Sequence, residues 1–381
     1  MAKGVEKLKK IYKIISPILI IVFCFSGCMS SNNLNDLTVV QALGVDNIDN
    51  QTMVTIQYLD INKSGVATDA LNGNITASTS GVSSNISDAL SQAAKGLSQK
   101  IFMGQNKIII FGSEYSEIGI DKGLDYLIRS IDSRPDVLVA MSNTTAKDIV
   151  ENSENGSRIP AENIYKLLKL GEQNGQGAVV SVNDVLNLYQ DKTTDVYLPI
   201  LQSNDDGVSC DGIVCYADER IATRLDQYQT NGFLFIKNRI SGGTLAIDNP
   251  EFGYIGIEVV KACSKPSAKV VDDKIIFTCK IDVDILLNEF EKGSTSDLKP
   301  SKIQDIELLV KNRIDDMAIS AFNTCISSGS DPFGIGKYLA RDDIESYNLL
   351  KNDWHNNLNK VKILMDTNVK LKNINDNDFK K

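Results

Sequence analysis

One histidine and one tryptophan serve all 381 residues, and no Cys-x-x-Cys pair or Gly-x-Ser-x-Gly elbow occurs anywhere. The single histidine, His355, excludes multi-histidine metal sites and leaves any Ser-His-Asp arrangement dependent on that one residue. The sequence also lacks a basic surplus. Its formal charge is −9, which argues against nucleic acid and against a broad electrostatic contact with anionic lipid. Beyond the N-terminus no stretch approaches 18 apolar residues, and no internal repeat is visible.

What is present begins at the N-terminus. Five lysines precede residue 14, followed by an apolar run from Ile14 to Phe25 broken only by Ser16 and Pro17. A basic flank with a short apolar segment is the pattern of a secretory signal. The run leads into Phe25-Ser26-Gly27-Cys28, which resembles the Leu-Ala/Ser-Gly/Ala-Cys box of bacterial lipoproteins at three of four positions. Residues 1–27 are therefore expected to be a removable signal, and Cys28 the lipidated N-terminus of the mature chain. Two acyl chains suffice to hold a protein at a membrane without spanning it. The alternative is an uncleaved anchor in which Cys28 is incidental. Cleavage would remove five lysines and one glutamate, taking the formal charge from −9 to −13.

Residues 28–36 read as a polar tether. The remaining chain is long enough for two or three cores and is expected to be α+β, with mixed sheets and packed helices. Strands are expected at 38–45 and 52–61 around a turn, with polar, glycine-rich sequence from Asn62 to Ser83. Ile86, Ala89, Leu90, Ala93, Ala94 and Leu97 recur at helical spacing, with Ser84 or Ser87 as cap. A short buried strand at 107–111 precedes a helix carrying Ile118, Leu124, Leu127, Ile128 and Ile131. A strand at 136–141 and helices near 145–153, 161–172 and 182–190 complete an N-terminal domain spanning 37–202.

Gln202 to Gly207 reads as a linker, after which strands dominate a domain spanning 207–372, with a possible subdivision near 265. Strands are expected at 208–216, 232–236, 244–247 and 252–262, and a hairpin around Asp272-Asp273. A helix of about 28 residues starts at Pro300-Ser301 and stops at Gly329. Val361 to Leu371 alternates apolar and polar positions, the mark of a strand with one wet face.

The residues that could carry chemistry are few. Asp331-Pro-Phe-Gly-Ile-Gly-Lys337 follows a helix rather than a strand and lacks phosphate-loop spacing, so a turn in which Phe333 packs back on the helix is expected. Asp205-Asp206 falls short of a calcium loop, and Asp315-Asp316 and Asp342-Asp343 read as solvated surface. Phe233, Phe235, Phe252 and Tyr254, taken as strand residues, could line a ligand pocket or fill a core. Cys210, Cys215, Cys263, Cys279 and Cys325 are a poor disulfide or zinc framework and read mostly as small buried residues. Cys210 and Cys215 should face opposite ways on one strand. No catalytic, cofactor or metal residue is expected, and His355 reads as a surface or interdomain side chain.

Several segments together resemble one family. They are Asn35-Asp-Leu-Thr-Val-Val-Gln-Ala-Leu-Gly-Val-Asp46, Ser87-Asp-Ala-Leu-Ser-Gln-Ala-Ala and Ile101-Phe-Met-Gly-Gln-Asn-Lys-Ile-Ile-Ile-Phe-Gly112. Cys210-Asp-Gly-Ile-Val-Cys-Tyr, Asp282-Val-Asp-Ile-Leu-Leu-Asn-Glu289, Asp331-Pro-Phe-Gly334, Trp354 and the last strand continue the order. The pattern is similar to the Ger(x)C lipoproteins, the GerAC/GerBC/GerKC-type C subunits of nutrient germinant receptors. That family often has histidine where Gln105 stands, so no histidine function carries over to this position. The resemblance implies a multidomain α+β fold without known catalysis, anchored through Cys28 at the outer face of the spore inner membrane. It implies A and B membrane subunits as partners and no nucleic acid, and it leaves open whether this subunit touches a small molecule. A solute-binding lipoprotein of a transporter is the rival reading, and an envelope hydrolase depending on His355 a third.

Overall fold

Asp49 and Asn50 both have positive φ, and short polar side chains tolerate that backbone, so the first two strands close through a two-residue turn. These strands, β1 (Leu37–Ile48) and β2 (Gln51–Leu59), open a computed structural model that describes residues 36–60, 74–129, 134–152, 158–292 and 299–372. The expected signal, Cys28 and the expected tether up to Asn35 lie outside the described residues, as do Ile131 and the residues beyond Lys372. From Thr38 onward the chain packs as one compact α+β unit, the class expected.

β3 (Thr76–Ser83) adds to β2 in a stretch expected to be loop. Its small polar residues hide the strand pattern because their role is to admit α1 (Ile86–Ala94). A Cβ on Gly81 would overlap the α1 backbone at Ala89 and Ala93. The α1 cap is Asn85, whose Oδ1 accepts the Asp88 N–H at 2.9 Å, rather than Ser84 or Ser87. β4 (Lys100–Phe102) and β5 (Ile108–Phe111) both pair with β1. The next expected helix divides at Gly119, φ +137°, into α2 (Ser113–Ile118) and α3 (Asp121–Arg129). β6 (Leu138–Ser142), α4 (Ala146–Glu151), α5 (Pro160–Gln173) and α6 (Val182–Gln190) follow near their expected positions.

β7 (Tyr197–Asn204) and β8 (Gly207–Ala217) pair antiparallel from Asn204↔Gly207 inward, and β9 (Arg220–Leu225) completes the sheet. The expected linker at 202–207 is thus the tip of a hairpin. Its Asp-Asp-Gly turn composition serves strand reversal as well as it serves a linker. The sheet order is β3-β2-β1-β5-β6-β7-β8-β9, with β1, β5, β6 and β7 parallel. Parallel strands covered on both faces are apolar throughout, as Ile108–Phe111 shows.

α7 (Gln227–Ile236) occupies the place of an expected strand. Phe233, Leu234, Phe235 and Ile236 are all buried, so the helix has no wet face there and its period is lost to a sequence reading. β10 (Thr244–Asn249), β11 (Gly253–Val271), β12 (Lys274–Phe290) and β13 (Val361–Leu371) form a second sheet in that order. The Asp272-Asp273 turn is as expected, but β11 runs unbroken through Pro266. Lys265 pairs with Lys280, so the subdivision expected near 265 falls inside a continuous ladder. α8 (Pro300–Ser327) matches the expected 28-residue helix and buries Ile306, Val310, Ile314, Met317, Ala321 and Cys325 along one face, with Ile303 and Leu309 only partly buried. α9 (Ile335–Asp342), α10 (Ile344–Leu350) and α11 (Trp354–Asn357) lead to β13, which pairs parallel with β12.

Candidate functional site

α8 ends at Gly329, φ +79°, and the chain turns back under the helix. The Ser330 N–H donates to the Cys325 carbonyl at 3.0 Å, and its Oγ donates to the Tyr216 carbonyl on β8 at 2.6 Å. Asp331 is then fully buried. Its Oδ1 accepts N–H bonds from Gly334 and Ile335 at 2.9 and 3.2 Å, at the start of α9, and its Oδ2 accepts from Trp354 Nε1 at 3.2 Å. These donors favour a carboxylate. Burial opposes them and prevails, pushing the Asp331 carboxyl up to about 7, with nearby Asp195 acting in the same direction.

Asp195 lies just before β7 and meets this loop by backbone and side chain. Its N–H donates to the Asp331 carbonyl at 2.9 Å, while its Oδ2 accepts the Asp331 N–H at 2.6 Å. The same carboxylate lies 3.0 and 3.1 Å from His355 Nε2. That contact raises the His355 pKa above its ordinary value, against the opposing effect of burial. On the other side of the loop Lys237, from the end of α7, donates to the Pro332 and Phe333 carbonyls at 3.1 and 3.3 Å. Its enclosure lowers that ammonium to about 8. Phe333 enters a cluster with Phe233, Phe277 and Phe322, ring centroids 5.2 to 6.5 Å away. The turn with Phe333 folded back on the helix is therefore as expected.

Beside this knot lies a cavity of about 350 Å³, lined by Tyr189, Asp195, Tyr216, Lys351, Trp354 and His355 among others. His355 and Asp195 are two members of a triad in type only. Nε2, which would face a nucleophile, is turned to the carboxylate, and among the described residues no hydroxyl or thiol bonds to His355. Among the described residues no group of three His, Cys, Asp or Glu is placed to hold a metal. The arrangement clamps two distant chain segments onto one loop.

The other residues singled out in the sequence are scattered. Phe233, Phe235 and Phe252 are core, and Tyr254 is exposed. Asp342 and Asp343 are more than solvated surface: they accept the Ala268 and Val270 N–H groups of β11 at 3.1 and 3.2 Å. Cys210 and Cys215 face opposite sides of β8. Cys210 lies near Gly171 and Gly177, while Cys215 is buried beneath α8 with its Sγ 3.8 Å from that of Cys325. Cys215, Cys279 and Cys325 are buried, and Cys210 and Cys263 are half-buried. Sequence reasoning missed Asp195 altogether, since its partners lie 136 and 160 residues away. The Asp-Pro-Phe-Gly segment was the one local signal for the knot.

Two family models match in tandem: "Spore germination protein N-terminal domain" over residues 30–203 and "Spore germination B3/GerAC like, C-terminal" over residues 211–375. Spore germination protein GerQC of Bacillus cereus is 21% identical, covering 74% of this chain and 79% of its own length. Spore germination protein KC of Bacillus subtilis (strain 168) is 26% identical over 48% of this chain and 46% of its own. The crystal structure of the GerBC protein aligns with a TM-score of 0.60 over 87% of this chain and 97% of that one, at 13% identity, which shows the shared fold. With both domain models matched in order across most of its length, the chain belongs to the Ger(x)C family of spore germination proteins.

Proposed function

We propose that this protein is the membrane-anchored C subunit of a nutrient germinant receptor, held by diacylglycerol on Cys28 and working without catalysis beside A and B membrane subunits. The observation that carries the reading is the tandem match over residues 30–203 and 211–375, and the lipoprotein-like Phe25-Ser26-Gly27-Cys28 in front of it agrees. No helix among the described residues is long and apolar enough to cross a membrane, so a lipid on Cys28 supplies the attachment in this reading. The place proposed for it is the outer face of the spore inner membrane. The segments 37–202 and 207–372 act together in this reading, because β7 and β8 pair across their junction.

A solute-binding lipoprotein of a transporter is not favoured. Two similar lobes around a cleft are the mark of that class, whereas the two sheets here differ in strand number and in order.

The test compares wild type with Cys28→Ala in sporulating cells, following lipid labelling, membrane partition and germination. Loss of label, release from membrane and a germination defect together are expected. Unchanged labelling would overturn the lipoprotein assignment. Lost label with normal germination would overturn the receptor role.

A further inference from the structure

Five cysteines lie among the described residues, and only Cys215 and Cys325 touch. Cys215 sits on β8 within the large sheet, and Cys325 on the last turn of α8, which backs the small sheet; both are fully buried. Their Sγ atoms are 3.8 Å apart. A disulfide needs roughly 2.05 Å, so the two sulfurs must close by less than about 2 Å. Neither strand β8 nor helix α8 is an exposed or frayed element, and the last turn of α8 is fixed by the Ser330 N–H and by the Ser330 hydroxyl bond to β8. The positions of the two sulfurs are therefore set by the fold.

We propose that Cys215 and Cys325 are the site of an intramolecular disulfide that bolts α8 to the large sheet. The bond would close a loop of 110 residues. Formation needs an oxidant, which is here a disulfide-bearing small molecule or exchange protein. One protein thiolate attacks the oxidant disulfide, giving a mixed disulfide and releasing one thiol. The second protein thiolate displaces the other half, so the two protein thiols become one S–S bond and the oxidant becomes two thiols carrying the two protons.

The interior resists this reaction once folding is complete. Cys325 is held protonated, by its contact with Cys215 first and by burial second, with Asp195 and Asp331 adding to the effect. The bond therefore forms while α8 is still undocked, and afterwards is sheltered from reductants. Its persistence in the cell rests on the proposed export of the chain to a compartment that tolerates disulfides, but its formation does not.

The test uses purified full-length protein. It is unfolded and refolded in glutathione buffers of graded ratio, quenched by alkylation, digested and read by mass spectrometry. The expected result is one linked peptide pair, Cys215–Cys325, and a melting temperature roughly 5 °C higher than that of the reduced chain. Cys263→Ser, at a half-buried position, should leave the linked pair and the oxidised-minus-reduced difference in melting temperature unchanged, whereas Cys215→Ser and Cys325→Ser should each abolish the linked pair. Cys215 and Cys325 alkylated separately, or each carrying glutathione, in buffers where the oxidised form dominates would overturn the proposal. Because this measurement is made outside the cell, its failure is distinct from a failure of the Cys28 assignment.

Discussion

Asp195 and Asp331 exchange bonds: the amide of each donates to the other, one to a carbonyl at 2.9 Å and one to a carboxylate at 2.6 Å. Such reciprocity fixes the loop after α8 to the segment before β7 with no freedom to slide. The titration of this knot follows from its surroundings. Burial raises the Asp331 carboxyl from 3.8 to about 7. Folding thus favours its protonated form, and stability falls as pH rises from about 4 to about 7, by on the order of 4 kcal/mol. Asp331→Asn should flatten that part of the profile. Thermal melting of both proteins from pH 4 to 8 decides the matter, and parallel curves would refute it.

His355 adds a second pH effect of the same sign. Its pKa is raised by Asp195, so the stability it contributes is complete below its ordinary 6.5 and disappears as pH climbs through the higher folded value. Because the imidazole is partly exposed, the coupling is worth only about 1 kcal/mol. A double-mutant cycle with Asp195→Asn and His355→Gln should show that coupling at pH 6 and lose it by pH 9. Equal coupling at the two pH values would mean a neutral hydrogen bond instead of an ion pair.

At Gly232 the backbone of α7 lies directly against the backbone of α8. A Cβ there would overlap the Met317 carbonyl and the Ala318 amide, which are backbone and cannot swing aside. Gly232→Ala should cost roughly 1–3 kcal/mol through overpacking, despite the better helix propensity of alanine. Urea denaturation measures the cost, and a stabilised variant would show that the two helices are further apart than described.

Phe333→Ala should destabilise by about 3–5 kcal/mol, since the ring joins Phe233, Phe277 and Phe322 from three different elements. Phe333→Leu keeps most of the volume and should recover at least half of that loss. The two variants separate the need for a filled core from the need for an aromatic face.

The elements legible in the sequence were those whose burial pattern has a single period. α8 presents one apolar stripe over 28 residues, and β13 alternates along its length, so both could be read directly. β3 and α7 were obscured for opposite reasons. In β3 small polar residues pack beneath a helix, and in α7 the apolar run is buried on every side. The knot was hidden because its chemistry is assembled by tertiary contacts: Asp195, Asp331 and His355 have no spacing that marks them as neighbours. A glycine-containing turn was visible at 331–336, but the buried carboxylate that organises it was not.

The β7–β8 hairpin has a consequence for how the polypeptide can be divided. A covalent break between Asp205 and Asp206 would fall at an exposed tip and leave every ladder bond from Asn204↔Gly207 inward in place. The two fragments would stay together as a tight complex, and each expressed alone would present an open sheet edge seeking the other. What is one chain by synthesis is, by its pairing, a ready-made split protein whose halves reassemble by strand complementation.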